Sequence, residues 1–266
     1  MFKAKVILNS AHFEWVVFIH GFGGSSETWK KQIEPFSKSF NLLLLDMHSK
    51  ATDRLTIPFV CEEIKATMDF YHIEKAHIIS LSFGTMLALA FASLYPQRVL
   101  SLVMAGGIIR FNFRTNFLLF LGNALKNRLS YMTIYRFFAF IIMPRKNHKK
   151  SRDIFVREAL KMGHSEFCRW LALVSPAKKN GEFIKKLNSF EQTIPILYMM
   201  GRQDQLFRKS TTKLSTMIKG TEVFVIEGSG HVCTIEKDGE FNKRAMEFMI
   251  GKTTKDTKGQ AEDGRK

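Results

Sequence analysis

Cysteine is scarce in this chain. Cys61, Cys168 and Cys233 are odd in number and share no metal-ligand spacing, which argues against a disulfide framework or a thiolate metal site and fits a reducing compartment. Long apolar runs are missing as well. The stretches Phe117 to Leu121 and Tyr131 to Met143 are separated or broken by Lys126, Arg128 and Arg136, well short of the ~18–20 apolar residues of a spanning helix. The start of the chain shows no apolar stretch of about 7–15 residues followed by a small-residue cleavage site, so cytoplasmic residence is the expectation. Gly21, Gly23 and Gly24 are not followed by a Lys-Ser/Thr pair at Walker spacing, which removes the phosphate-loop reading. There is no internal repeat, and nothing resembles a nucleic-acid-binding module, so nucleic acid is not an expected partner. Acidic residues are few: 24 Asp and Glu face 40 Lys and Arg, for a formal net charge of +16.

What is present suits one folded domain. The 266 residues are 45% hydrophobic and 24% charged, long and apolar enough for a substantial core and unlike a disordered or fibrous chain. Apolar strand runs alternate with helical patterns: Leu42 to Asp46, Val60 to Tyr71, Ala76 to Ser82, Gly84 to Tyr95. That alternation predicts βα units on a mainly parallel sheet.

The most informative segment is Ser80-Leu81-Ser82-Phe83-Gly84. Ala76 to Ile79 reads as a buried strand, and Met86, Leu87, Leu89, Ala90 and Leu94 recur at helical spacing, so Ser82 falls at a strand-to-helix corner. Such a turn needs small residues two positions either side of the serine, here Ser80 and Gly84. It also leaves the Phe83 amide free at a helix N-terminus, where it can stabilise a developing oxyanion. Trp15 to Ile19 reads as another buried strand and empties into His20-Gly21-Phe22-Gly23-Gly24. Ile194 to Met200 ends in Gly201-Arg202-Gln203-Asp204, and Glu222 to Ile226 in Gly228-Ser229-Gly230-His231. Taken singly, Asp204 suits a turn or cap and His231 a loop. In an open parallel sheet, however, the loops beyond the strand carboxyl ends lie side by side, so Ser82, Asp204 and His231 can converge.

On these four signals, from about Trp15 to about Met249, the chain resembles the α/β-hydrolase fold superfamily. The resemblance implies a mainly parallel central sheet flanked by helices with an inserted helical lid. It implies Ser82 as nucleophile, His231 as general base and acid, Asp204 as the group orienting the imidazole, and the amides of Phe22 and Phe83 as oxyanion hole. Relatives that place the acid after an earlier strand are not matched, because Val99 to Ala105 runs into Gly106-Gly107-Ile108-Ile109 without a carboxylate. Cys233, two residues past His231, is set aside as nucleophile because only Ser82 occupies an elbow. Two departures stand out. Asp46-Met47-His48-Ser49-Lys50 replaces the usual glycine-rich turn, so that loop is expected to take another path, with His48 a solvated loop histidine rather than a substrate contact. The short segment before Trp15 leaves a short or incomplete antiparallel edge.

The domain boundaries expected are 1–109 and 191–250 for the core, 110–190 for the lid and 251–266 for a disordered tail. The lid stretch carries seventeen Lys and Arg against four Asp and Glu, thirteen of the sixteen net charges. Its apolar stretches are expected as amphipathic helices covering the site, and Arg145-Lys146-Asn147-His148-Lys149-Lys150 as a loop between them. Three readings compete for the basic charge: a solvated face, Arg and Lys at the mouth of a site for an anionic or acyl-chain substrate, and weak peripheral contact with an anionic membrane. The implied activity is hydrolysis of a carboxylic ester, or of a thioester, on a small molecule, with no cofactor or metal. The same scaffold hosts acyltransferases, carbon–carbon bond hydrolases and non-catalytic ligand sensors, which stay open as alternatives.

Overall fold

The computed structural model of the chain describes residues 1–9, 11, 14–49, 55–108, 113–174, 180–189, 194–207 and 214–263. Lys50, Ile109, Arg110, Phe190 and residues 264–266, which enter the expected loops and boundaries, lie outside them.

Among the described residues seven strands form one sheet: β1 (Lys3–Ile7), β2 (Trp15–Ile19), β3 (Asn41–Asp46), β4 (Ala76–Leu81), β5 (Val99–Ala105), β6 (Ile196–Gly201) and β7 (Thr221–Ile226). Their spatial order is β1-β3-β2-β4-β5-β6-β7. β1 pairs antiparallel with β3, and every other pairing is parallel. The opening edge is thus a single five-residue strand, with Lys3 and Lys5 exposed along it, charges that discourage further pairing. The inner strands are apolar on both faces because helices cover both. Val17 and Ile19 pack on one side with α2 (Ile57–Phe70) and α3 (Phe83–Leu94), while Val16 and Phe18 pack on the other with Trp29 and Phe36 of the segment through α1 (Lys30–Ser37) and with Phe241 and Phe248 of the final helix. α2 starts three residues earlier than its apolar spacing suggests, because the Thr56 side chain caps it by accepting from the Phe59 amide.

Between β5 and β6 the chain forms α4 (Phe113–Leu125), α5 (Tyr131–Ile142), α6 (Lys149–Ala159), α7 (Gly163–Val174) and α8 (Asn180–Asn188). Three expectations change here. α8 packs against α3 and buries Ile184 in the core beside the sheet, so the last helix of the stretch read as lid belongs to the flanking layer. The basic run expected as a loop is a single tight turn at Lys146–His148 followed directly by α6, which takes Lys149 and Lys150 as its first residues. The final helix spans Asp238–Asp263, where a disordered tail was expected from 251. Phe241, Ala245, Phe248 and Met249 anchor its start in the core, and no proline follows to stop propagation. Among the described residues, no helix is long and apolar enough to cross a membrane.

Strand order reverses between β2 and β4, where the chain steps outward to β3 and then crosses back. Crevices beyond the carboxyl ends of strands at such a switch point are where open α/β sheets bind ligands.

Candidate active site

Ser82 sits at that switch point. Its φ of 52° is a left-handed value that costs a non-glycine residue about 1–3 kcal/mol. The strain is held by the Ser82 amide donating to the Ala105 carbonyl and by the Ser82 carbonyl accepting from the Thr85 amide and hydroxyl. Gly84 is required by close approach: a β-carbon there would stand 2.5 Å from the Ile19 carbonyl oxygen. Ser80, in the position usually taken by glycine, is fully buried and its hydroxyl reaches the Val103 carbonyl at 3.4 Å.

The three residues separated in sequence are brought together. His231 Nε2 lies 2.7 Å from Ser82 Oγ, and His231 Nδ1 lies 2.7 Å from Asp204 Oδ2. Asp204, almost wholly buried, accepts on Oδ1 from the amides of Leu206 and Phe207. With the carboxylate as acceptor, Nδ1 carries the imidazole proton and Nε2 accepts from the serine hydroxyl. The Phe207 ring packs on the imidazole with centroids 5.0 Å apart. The first position after β5 cannot carry an alternative acid, since Gly106 has φ 51° and any β-carbon there would collide with the His231 carbonyl oxygen. Cys233 is buried, burial pushes its thiol far above the usual range, and its sulfur points to the Met199 carbonyl. A thiol held neutral in this way is a poor nucleophile.

The loop carrying Phe22 abuts the elbow, with Gly21 so close that a β-carbon would meet Ser82 Cβ at 3.2 Å. Phe83 opens α3, whose first amides have no intrahelical acceptor. Phe22, Ser82 and Phe83 line one cavity of about 90 Å³, walled otherwise by Ile108, Thr115, Leu118, Leu119, Phe138, Ile142, Leu171, Val174, Leu206 and Phe207. Apart from Ser82 and Thr115 this wall is apolar. Lys146, Lys149 and Lys150, expected at the mouth, line a separate surface groove with Glu27, Lys30 and Lys31.

His48 is also corrected. The residue is half-buried rather than solvated: both ring nitrogens are shielded from water without a hydrogen-bond partner among the described residues, and the ring lies between His20 and Trp170. Burial, reinforced by the neighbouring His20, holds its pKa well below the usual histidine value. His20 is buried too and its pKa is lowered by the same desolvation. The Met47 amide donates to His20 Nε2 (3.1 Å), so Nδ1 carries the proton and donates to the Gly21 carbonyl (2.8 Å). Above about pH 6.5 both folded and unfolded histidines are neutral. Below it the unfolded chain takes up protons that the buried rings resist, so stability falls by up to about 1.4 kcal/mol per pH unit for each such residue. Replacing His48 by Phe should flatten the decline in urea midpoint between pH 7 and pH 5. An unchanged slope would show that His48 does not stay neutral in the fold.

Several residues that position the site carry no sequence signal. Tyr135 of α5 donates its hydroxyl to the Phe22 carbonyl (3.0 Å) and stacks near the Phe22 ring, which pins the loop meant to supply an oxyanion amide. Glu236 accepts from the Gly230 amide (2.5 Å) and the Ser229 hydroxyl (3.1 Å), holding the turn that presents His231. Asn147 donates to Gln203 Oε1 and to the Gly228 carbonyl, both at 3.0 Å, and buried His148 meets Gln203 at the same distance. The inserted helices are thereby tied to both loops that bear Asp204 and His231. Tyr135→Phe should cost only ~1 kcal/mol of stability, one hydrogen bond, yet lower kcat up to about tenfold with KM little changed. A kcat within about twofold of wild type would remove Tyr135 from the positioning apparatus.

The sequence profile of the alpha/beta hydrolase fold matches residues 14–238, and the chain belongs to that family. It is 27% identical over 244 residues to the dihydrolipoyllysine-residue acetyltransferase component of the acetoin cleaving system of Pseudomonas putida, a match covering 88% of this chain and 63% of that protein. The chain thus spans less than two thirds of that relative's length. A 2-hydroxy-6-oxononadienedioate/2-hydroxy-6-oxononatrienedioate hydrolase of Klebsiella pneumoniae is 24% identical over 261 residues, covering 89% of this chain and 87% of the relative. Among solved structures, the enol-lactonase from Burkholderia xenovorans LB400 aligns with a TM-score of 0.81 at 16% identity, over 94% of this chain and 96% of that one. At that identity the likeness establishes the fold.

Proposed function

We propose that the chain is a serine hydrolase that cleaves a carboxylic ester, with a thioester as the neighbouring class, through an acyl-enzyme on Ser82. The observation that carries this reading is the unbroken chain Ser82 Oγ, His231, Asp204 at 2.7 Å per link, set against an apolar cavity. A serine hydroxyl is barely nucleophilic near neutral pH without a base in hydrogen-bond reach. As Oγ attacks the acyl carbon, its proton passes to His231 Nε2, and Asp204 stabilises the imidazolium without taking the proton. The carbonyl oxygen becomes an oxyanion facing the Phe22 and Phe83 amides. Collapse breaks the bond to the leaving oxygen, which receives the proton from His231. Water then repeats the sequence, with His231 as base, and releases the acid and free Ser82.

The cavity's apolar wall favours the acyl side of such a substrate, because each buried methylene contributes up to ~0.8 kcal/mol. Its 90 Å³ is small beside the ~300–1,000 Å³ of ordinary ligand sites. In this conformation it holds a short acyl group, and a longer one requires α4 and α5 to move outward.

The P. putida relative's name supports a second reading, acyl transfer, which differs only in the acceptor that resolves the acyl-enzyme. A panel of p-nitrophenyl esters separates the possibilities. Sustained turnover with one acid formed per alcohol supports the hydrolase. Partition of the acyl group to an added alcohol or amine ahead of water supports transfer, and labelling by a serine-directed phosphonate without turnover supports a ligand sensor.

A further inference from the structure

We propose that the outward faces of α4 and α5 form a docking surface for an anionic lipid bilayer. A surface helix ordinarily turns an apolar stripe to the core and polar residues to water. α4 does not. Its inner stripe, Thr115, Leu118, Leu119 and Gly122, is buried or half-buried, and its outer stripe is Phe113, Phe117 and Phe120. α5 turns Met132, Ile134, Tyr135 and Ala139 inward and Arg136, Phe137 and Phe140 outward. The five outward phenylalanines are 48–84% exposed, on two neighbouring helices of one insertion. Between the helices lies a groove of about 260 Å³ in which Leu121, Leu125 and Leu129 face Thr133 and Phe137, so the apolar surface continues from one helix to the other. Clustered exposure on this scale marks an interaction site rather than scattered surface residues.

Charge selects the partner. From Lys75 to Arg152 the chain contains no Asp or Glu, so the only ionic groups these helices and their connection offer are cations: Arg114, Lys126, Arg128 and Arg136. Phenylalanines among arginines and lysines suit an anionic headgroup layer, with rings entering the acyl boundary and cations meeting phosphates. A second copy of the chain is a poor occupant, because a two-fold pairing of this face would set arginines against arginines with no carboxylate to offset them. The inner faces of the same helices roof the cavity over Ser82, so docking would place that roof on the lipid. The surface assignment stands independently of the reaction class.

The test is co-sedimentation of the full chain with phosphatidylcholine vesicles and with vesicles in which about one third of the lipid is phosphatidylglycerol, at low and high salt. Wild type should partition onto the anionic vesicles at least about tenfold more strongly than onto the neutral ones, and the advantage should shrink as salt screens the cations. The quadruple variant F117S/F120S/F137S/F140S should lose binding, and R114E/R128E/R136E should lose the preference for anionic lipid. Ser82→Ala should bind as wild type does, which separates this surface from the chemistry of the site. Circular dichroism and turnover of a short soluble ester confirm that the surface variants remain folded. Absence of wild-type binding, equal binding to both vesicle types, or variants that bind unchanged would overturn the proposal. So would a wild-type dimer that the phenylalanine variant converts to monomer.

Discussion

Ser82→Ala is expected to lower kcat on any ester substrate by on the order of 10⁴–10⁶-fold, and His231→Ala by a comparable factor, while the double variant loses little more than either alone. The reason lies in the geometry. Ser82 Oγ and His231 Nε2 are 2.7 Å apart, and in the proposed mechanism they share one proton transfer, so removing either would abolish the step that the other serves. Folding should survive, because Ser82 holds its corner through backbone bonds to Ala105 and Thr85 that alanine retains. The strained φ at this position argues that Ser82→Gly would stabilise the fold while destroying activity as completely. Losses that simply multiply across Ser82 and His231 would show that the two do not share a reaction.

Asp204→Asn is expected to cost about 10³–10⁴-fold in kcat. Asparagine keeps the size and leaves one oxygen to accept from the Leu206 and Phe207 amides, as Oδ1 does now. The group facing His231 Nδ1 then becomes an NH₂ donor, which forces the imidazole proton onto Nε2 and turns the base toward Ser82 as a donor. The defect is therefore in tautomer rather than in architecture. Thermal stability close to wild type alongside the kinetic loss would support that cause. A loss below about tenfold would mean that another group orients His231.

Much of the site was legible because it lies on the most regular part of the fold. β2, β4, β5 and β6 are covered on both faces, so each appears in the sequence as a largely apolar run with a glycine at its carboxyl end or within three residues of it. Ser82 and Asp204 follow two of these ends and His231 follows that of the edge strand β7, and a parallel sheet aligns such ends without further information. β1 was not legible: it is short, half-exposed and paired on one side only, so burial imposes little pattern on it. Tyr135, Asn147 and His148 were invisible for a different reason. Each acts through a contact more than fifty residues distant in sequence, and no local periodicity encodes where an inserted helix will land. His48 was misjudged for the same cause, since its burial depends on Trp170 from α7. The basic charge of the insertion was plain from composition, but its partition between a groove separate from the Ser82 cavity and the outward faces of α4 and α5 depends on helix packing.

Trapping the acyl-enzyme tests the central claim most directly. Wild type mixed with a p-nitrophenyl ester should release a burst of p-nitrophenol matched to the enzyme concentration, and acid quenching within that burst followed by peptide mass spectrometry should place one acyl group on Ser82. Ester turnover with the acyl group on Cys233 or any other residue, or with no covalent adduct under conditions where a burst is resolved, would contradict it.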